Sequence, residues 1–237
     1  MIKLFRNIRQ NLLNDGKTSK YFKYAIGEIV LVMIGILLAL QVNNWNETRK
    51  VKTFEKEILT LIDQNLERDS VLLSVERLKT VEAITYTDQL LEQVALKNYN
   101  DSLNHWMGKI ISFERFKSQS SAFEVLKSKG IEIISNNELQ LALISYYDES
   151  LFNLYESLND VLSSFNIDLI PVVKSEFSDF VFREYCEPID SKAFFEKPSS
   201  IVLFKLYKDN RGGQLKRMDN SLAEIQKIRR LIKTYLK

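Results

Sequence analysis

Few side chains in this chain are of the types that do chemistry, and their spacing keeps them apart. His105 is the single histidine, which rules out every site built on two imidazoles. Ser102 stands where a Glu-x-x-His metal motif would need its acid. Beside Trp106, His105 reads as a packed structural residue rather than a general base. Cys186, within Arg183-Glu184-Tyr185-Cys186-Glu187-Pro188, is the only cysteine, so no disulfide can form within the chain. It would become a nucleophile only with Arg183 held close, and a buried inert thiol is the simpler reading. The acid pairs Asp148-Glu149 and Glu67 with Asp69 are of the type used in glycoside hydrolysis, yet such pairs decorate any solvated helix face. Arg211-Gly212-Gly213 lacks the Lys-Ser/Thr ending of a phosphate cradle and reads as a turn. Asn46-Glu47-Thr48 and Asn100-Asp101-Ser102 fit the short glycosylation pattern, which is frequent by chance. These residues assign no catalytic, metal-binding or cofactor-binding role, and no cofactor is expected.

The elements that would position a site are better defined than the site. Ala25 to Val42, AIGEIVLVMIGILLALQV, is the one stretch suited to lipid. As a helix its eighteen residues cover about 27 Å, close to the hydrocarbon thickness a single span must cross. That apolar core is longer than in a cleaved signal peptide, and Gln41, two residues after Ala39, is not the small residue a cleavage site needs. A retained signal anchor is expected. Residues 1 to 24 carry Lys3, Arg6, Arg9, Lys17, Lys20 and Lys23 against Asp15 alone, a bias that keeps the N-terminus cytoplasmic. Tyr21, Phe22 and Tyr24 before the run and Trp45 after it stand where interfacial aromatic belts form.

Glu28 lies inside this run, about one turn from its cytoplasmic end. At 100° per residue Gly35 falls about 20° to one side of Glu28 and Ala39 about 20° to the other, so one stripe holds the acid and a small-xxx-small pair. Glu28, Gly35 and Ala39 are therefore the expected association face of the span, toward a second copy or another membrane protein. The competing reading is a snorkelling acid and a lipid-facing glycine.

With the tail and Glu28 set aside, the rest of the chain carries 27 basic against 29 acidic residues, near neutral at −2. Nucleic acid is not an expected partner, because phosphate neutralisation needs concentrated basic charge. With three prolines and seven glycines in 237 residues, long apolar patterns run uninterrupted at helical spacing. The fold class expected is all-α: a single transmembrane helix continuing into an extracytoplasmic bundle of long amphipathic, coiled-coil-like helices. The division expected is a basic cytoplasmic tail over 1–24, the anchor over 25–42 and a helical domain over 43–237.

Within that domain a helix is expected from about Thr48 to Ala95, with Phe54, Ile58, Leu61 and Ile62 on one stripe. Asn65, Arg68 and Asp69 interrupt the stripe and suggest a bend or a wet stretch. Lys97 to Asp101 has loop composition, and a short helix follows near Ser102 to Ile111. Ser121-Ala122-Phe123-Glu124 and Ser135-Asn136-Asn137-Glu138 have capping-box spacing, and Gly130 should stop the first of these helices. The second should run long, until Pro171 kinks or ends it, with an aromatic continuation from Val172 to Phe182. Arg183 to Ser200 reads as a loop with one helical turn near Lys192 to Phe195. Ser200 to Lys208 is expected to be helical and broken by Arg211-Gly212-Gly213. The last helix should pack through Leu215, Met218, Leu222, Ile225, Ile232 and Leu236, with Arg229 as one charged interruption.

The tail FRNIRQNLL, the run AIGEIVLVMIGILLALQVNNWNE and the central SAFEVLKSKGIEIISNNELQLALISYY resemble a family of single-pass membrane proteins frequent in flavobacteria and their relatives, domain of unknown function 6090. The resemblance covers most of the chain and weakens from Arg183 onward. It implies an inner-membrane protein with its main domain in the periplasm, and carries no activity or site residues to transfer. A membrane-anchored interaction or scaffold module is the leading expectation. The alternative is an extracytoplasmic sensor acting through a recruited membrane partner, since a tail of some 24 residues holds no output domain. An enzyme ranks last. A ligand-sized pocket would favour the sensor, a large apolar patch the scaffold, and converging acids of raised pKa the enzyme. The aromatic residues Tyr146, Tyr147, Phe152, Tyr155, Phe177, Phe180 and Phe182 could line such a surface or form core.

Overall fold

The computed structural model describes the backbone from residue 18 to 237 and side chains from residue 22 onward. The basic positions Lys3 to Lys17, the side chain of Lys20 and that of Tyr21 lie outside the described residues. The chain divides into two units, one ending at Phe54 and one comprising Glu55–Lys237.

The first unit is helical over its described residues, forming the start of helix α1 (Thr18–Ala95). It contains an 18-residue window of mean hydropathy 2.4, none of it buried. Such a helix is apolar and long enough for a membrane anchor.

The second unit is all-α apart from one hairpin. Its helices are the remainder of α1, α2 (Ser102–Ile110), α3 (Ser121–Lys129), α4 (Asn137–Ile144), α5 (Leu151–Ser164), α6 (Ile170–Glu176), α7 (Ser191–Phe195) and α8 (Pro198–Leu236). The bend or wet stretch expected near Asn65 is absent, because α1 stays helical and its buried stripe continues with polar members. Glu55, Leu59, Ile62, Leu66, Asp69, Leu73, Thr80, Ala83, Thr87, Leu90 and Val94 are all buried and recur at alternating steps of three and four, with half-buried Glu76 filling the one gap.

Helix α8 repeats this pattern with Ser200, Phe204, Tyr207, Arg211, Gln214, Met218, Ser221, Ile225, Ile228 and Ile232. It runs antiparallel to α1, as Arg229 binding Asp63 near one end and Arg77 binding Asp219 farther along show. The break expected at Arg211-Gly212-Gly213 does not occur. Two helical glycines cost roughly 2 kcal/mol, but both stand on the open side with nothing near their missing Cβ atoms. The buried neighbours Tyr207, Arg211, Gln214 and Met218 hold the helix through them. Leu215 and Leu222 lie at the margin of this seam, only half-buried.

Between these helices α4, α5 and α6 run on as one interrupted helix, with π turns at Ser145–Ser150 and Phe165–Leu169. The second turn precedes Pro171, whose missing N–H would leave a gap in a regular ladder, so the helix passes the proline instead of ending there. It stops at Glu176. The expected aromatic continuation is instead strand β1 (Phe177–Val181), paired antiparallel with β2 (Tyr185–Pro188) around a turn where Arg183 has φ 70°. β-branched and aromatic residues suit a strand better than a helix here. The backbone of β2 lies directly on α2, where a Cβ on Gly108 would stand 2.2 Å from the Tyr185 nitrogen.

The expected caps are also redistributed. Gly130, at φ 107°, ends α3 as anticipated. Ser121 lies inside α3, and the preceding Ser120 makes no side-chain cap. Asn136, not Ser135, caps α4 by accepting from the Leu139 N–H at 3.0 Å. Ser135 instead turns to buried Glu55, donating its N–H at 2.7 Å and its hydroxyl at 2.8 Å.

Candidate functional site

Besides Glu55 with Ser135, polar groups enter the core of the second unit at two places joined by the chain between α2 and α3. Ser112, Glu114, Phe116 and Ser118 point inward from it while Arg115 and Lys117 are exposed, a period-two pattern in an extended segment.

At one end Arg211 and Glu114 form an ion pair of 2.9 Å with both side chains almost wholly buried. Arg211 donates further to the Ser112 carbonyl at 2.7 Å and the Ser112 hydroxyl at 3.1 Å, and its guanidinium lies 4.9 Å from the Tyr207 ring centre. The Tyr207 hydroxyl also donates to the Ser112 carbonyl, and burial pushes this phenol up to about 12. Thr80 and Gln214, both buried, meet at 3.3 Å nearby on the facing helices. Charge in a dry interior survives only when paired and hydrogen-bonded; both terminal nitrogens of Arg211 meet that condition, while its Nε and the Gln214 Nε2 are buried without a hydrogen-bond partner among the described residues.

At the other end Asp69 accepts from the Ser118 hydroxyl and from the Gln119 N–H at 2.9 Å. Burial raises its pKa above the ordinary aspartate value, opposed by these two hydrogen bonds. Tyr155 accepts from the Ser118 N–H at 3.0 Å. Tyr146 and Tyr147 are buried with their phenols held neutral well beyond the ordinary range, chiefly by desolvation. Phe123 stacks on Tyr147 at 4.2 Å between centres, so these aromatics are core. Phe152, in contrast, is exposed.

The other residues singled out from the sequence stay apart. His105 is exposed, its ring 6.2 Å from that of Tyr185. Cys186 is buried in β2 and its thiol is pushed up to about 12 by desolvation, which keeps it unreactive. Arg183 gives its guanidinium to the Phe113 carbonyl. Asp148 pairs with Lys127 at 2.8 Å, and Glu67 with Arg229 at 3.0 Å. Glu28, Gly35 and Ala39 all lie on α1; Gly35 and Ala39 are exposed, Glu28 is half-buried, and nothing lies within 4 Å of where a Gly35 Cβ would stand. Among the described residues no cluster of three or more His, Cys, Asp and Glu is arranged to hold a metal ion.

Sequence reasoning did not find the Arg211–Glu114 pair or the Asp69–Ser118 contact. The signal was present as alternation in Ser112-Phe113-Glu114-Arg115-Phe116-Lys117-Ser118, too polar to register as a half-buried strand.

A family model described as a family of unknown function, DUF6090, matches residues 28–177. Comparison with curated proteins and with solved structures finds no match.

Proposed function

The chain belongs to the DUF6090 family, and from that premise we propose that it is a membrane-anchored helical module that acts by association and not by catalysis. The observation that carries this reading is the apolar run of α1, whose 18-residue window has no residue buried by the rest of the protein. Exposed apolar surface costs about 25 cal/mol per Å² in water, so side chains such as Leu31, Leu37 and Leu38, each more than half exposed, require another medium.

A lipid bilayer is the medium that fits the length. The run is a signal anchor, and the Lys and Arg excess before it orients the N-terminus to the cytoplasm. Glu55–Lys237 then stands in the periplasm of a cell whose inner membrane holds the span. Within the bilayer the Glu28, Gly35 and Ala39 stripe contacts a second copy or another membrane protein, because small residues let two helices approach closely. The three-four spacing along α1 and α8 supports a coiled-coil-like domain suited to transmitting or presenting contacts. The near-neutral charge beyond the anchor argues against nucleic acid as a partner.

A sensor remains the second reading, favoured by a cavity of about 220 Å³ lined by Lys79, Glu82, Lys109, Ser112, Glu114 and Arg183 beside the buried ion pair. The test of the association reading is crosslinking of the full chain in native membranes, with and without Gly35→Ile and Ala39→Ile. Crosslinked species that disappear in the variants support it. An unchanged crosslinking pattern sinks the stripe as an association face.

A further inference from the structure

The extended segment between α2 and α3 leaves a run of backbone groups without destination. Among the described residues, the N–H groups of Phe113, Glu114, Arg115, Phe116 and Lys117 donate to no protein acceptor, and the carbonyls of Glu114 to Lys117 accept from no protein donor. Both ends of the segment are fastened from inside, by Arg211 on Glu114 and by Asp69 on Ser118 and Gln119. It is therefore a held, extended edge with its main-chain valences open, the kind of edge another strand can complete.

Beside it lies a groove of about 520 Å³, walled by Phe116 and Lys117 on one side and by Tyr155, Leu158 and Leu162 of α5 on the other. Tyr155, Leu158 and Leu162 fall at steps of three and four on one helix face, and exposed Phe152 prolongs that face by a turn. Arg115 and Lys117 are exposed beside the groove and make no ion pair among the described residues; Arg115 only rests on the Phe113 ring, at 5.0 Å. Glu114, which also touches the groove, is neutralised by Arg211.

We infer that this edge and groove form a docking site for an extended peptide of alternating apolar and acidic residues, added as a strand along Phe113–Lys117. The inference rests on the association reading and names the chemistry of a partner. An added strand presents alternate side chains to opposite faces. One set meets the apolar groove over Phe116, Leu158 and Leu162. The other lies beside Arg115 and Lys117, where acids complement two uncompensated cations. A docked helix would fill the groove but leave the alternate N–H groups that face it unmet, because its own backbone is already paired.

The test uses the full chain in lipid nanodiscs and a fluorescent peptide of about ten residues alternating Val and Glu. Controls are a peptide of the same composition in two blocks, one alternating Val and Lys, and one N-methylated at alternate backbone positions. The alternating acidic peptide is expected to bind about tenfold or more tighter than each control, and Arg115→Glu with Lys117→Glu to remove that advantage. Hydrogen exchange should slow at alternate amides within Phe113–Lys117 when the peptide is bound. Both substituted residues are exposed, and the N-methylated peptide needs no change to the protein, so misfolding cannot mimic the result. Equal affinity for the alternating and block peptides, or unchanged exchange at those amides, overturns the docking site. If the crosslinks that depend on Gly35 and Ala39 persist while the peptide fails, the docking site falls and the association reading stands. Peptide binding without such crosslinks supports the docking site and removes the span from association.

Discussion

Along Ile26–Val42 apolar side chains stand in the open, whereas around Arg211 charged and hydroxyl groups are sealed inside the protein. Each region inverts the usual sorting of residues, and the two are resolved differently. No described residue covers the exposed run, so its placement depends on the surroundings. The buried charges find their partners within the chain, where Glu114, Ser112 and Tyr207 come to one arginine and only its Nε is left without a hydrogen bond among the described residues. An exposed apolar helix thus speaks of environment, and a buried ion pair speaks of pairing between distant segments.

The largest effect should come from breaking the inner region. Arg211→Ala leaves Glu114 buried without a counter-charge, and the thermal midpoint should fall by an amount equivalent to about 3–5 kcal/mol. Replacing both partners, Glu114→Leu with Arg211→Met, should recover most of that loss, since an apolar pair of similar volume needs no compensation. If the double variant is no more stable than Arg211→Ala, the loss belongs to packing and not to charge.

The outer region should respond in the opposite sense to added charge. Ile34→Arg places a cation at the centre of the apolar run, which costs roughly 2.5–3.5 kcal/mol in membrane insertion. The insertion ratio of this variant should drop while the fold of Glu55–Lys237 keeps its thermal midpoint. A fall in that midpoint with insertion unchanged would mean that the run belongs to a folded core.

Between these extremes lies the contact of α2 with β2. Gly108→Ala drives a methyl into the Tyr185 and Glu184 backbone, and overpacking of this kind costs about 1–3 kcal/mol by denaturant titration. An unchanged midpoint would show that the hairpin moves freely from α2.

The smallest effect is a pH dependence. Burial raises Asp69 above its ordinary value of 3.8, so its ionised form weighs against the folded state at neutral pH. That penalty should fade as pH falls through the raised value toward 3.8. Asp69→Asn should therefore gain least, relative to the parent, at the acidic end of a series of thermal midpoints. A gain that grows toward acid pH would reverse the sign.

Much of the architecture was legible because it depends on periodicity. The Ala25–Val42 run, the helix reaching Ala95, the loop after it and the stop at Gly130 all follow from local pattern. What escaped was decided by distant partners. Asp69 looked like an interruption because its compensation comes from Ser118 and Gln119. Arg211-Gly212-Gly213 looked like a break because the worth of a buried arginine is set by Glu114. Ser135 looked like a cap because Glu55 lies far away in sequence. The Phe177–Val181 strand was obscured by the helical pattern leading into it. The extended course of Phe113–Lys117 is recorded in the sequence as alternation, but its unmet backbone groups are recorded by no sequence pattern.

The account stands first on the apolar run of α1 lying in lipid. Alkaline carbonate extraction of membranes from cells making the full chain tests this directly. The protein should remain in the membrane pellet, and intact protein released into the soluble fraction would contradict the account.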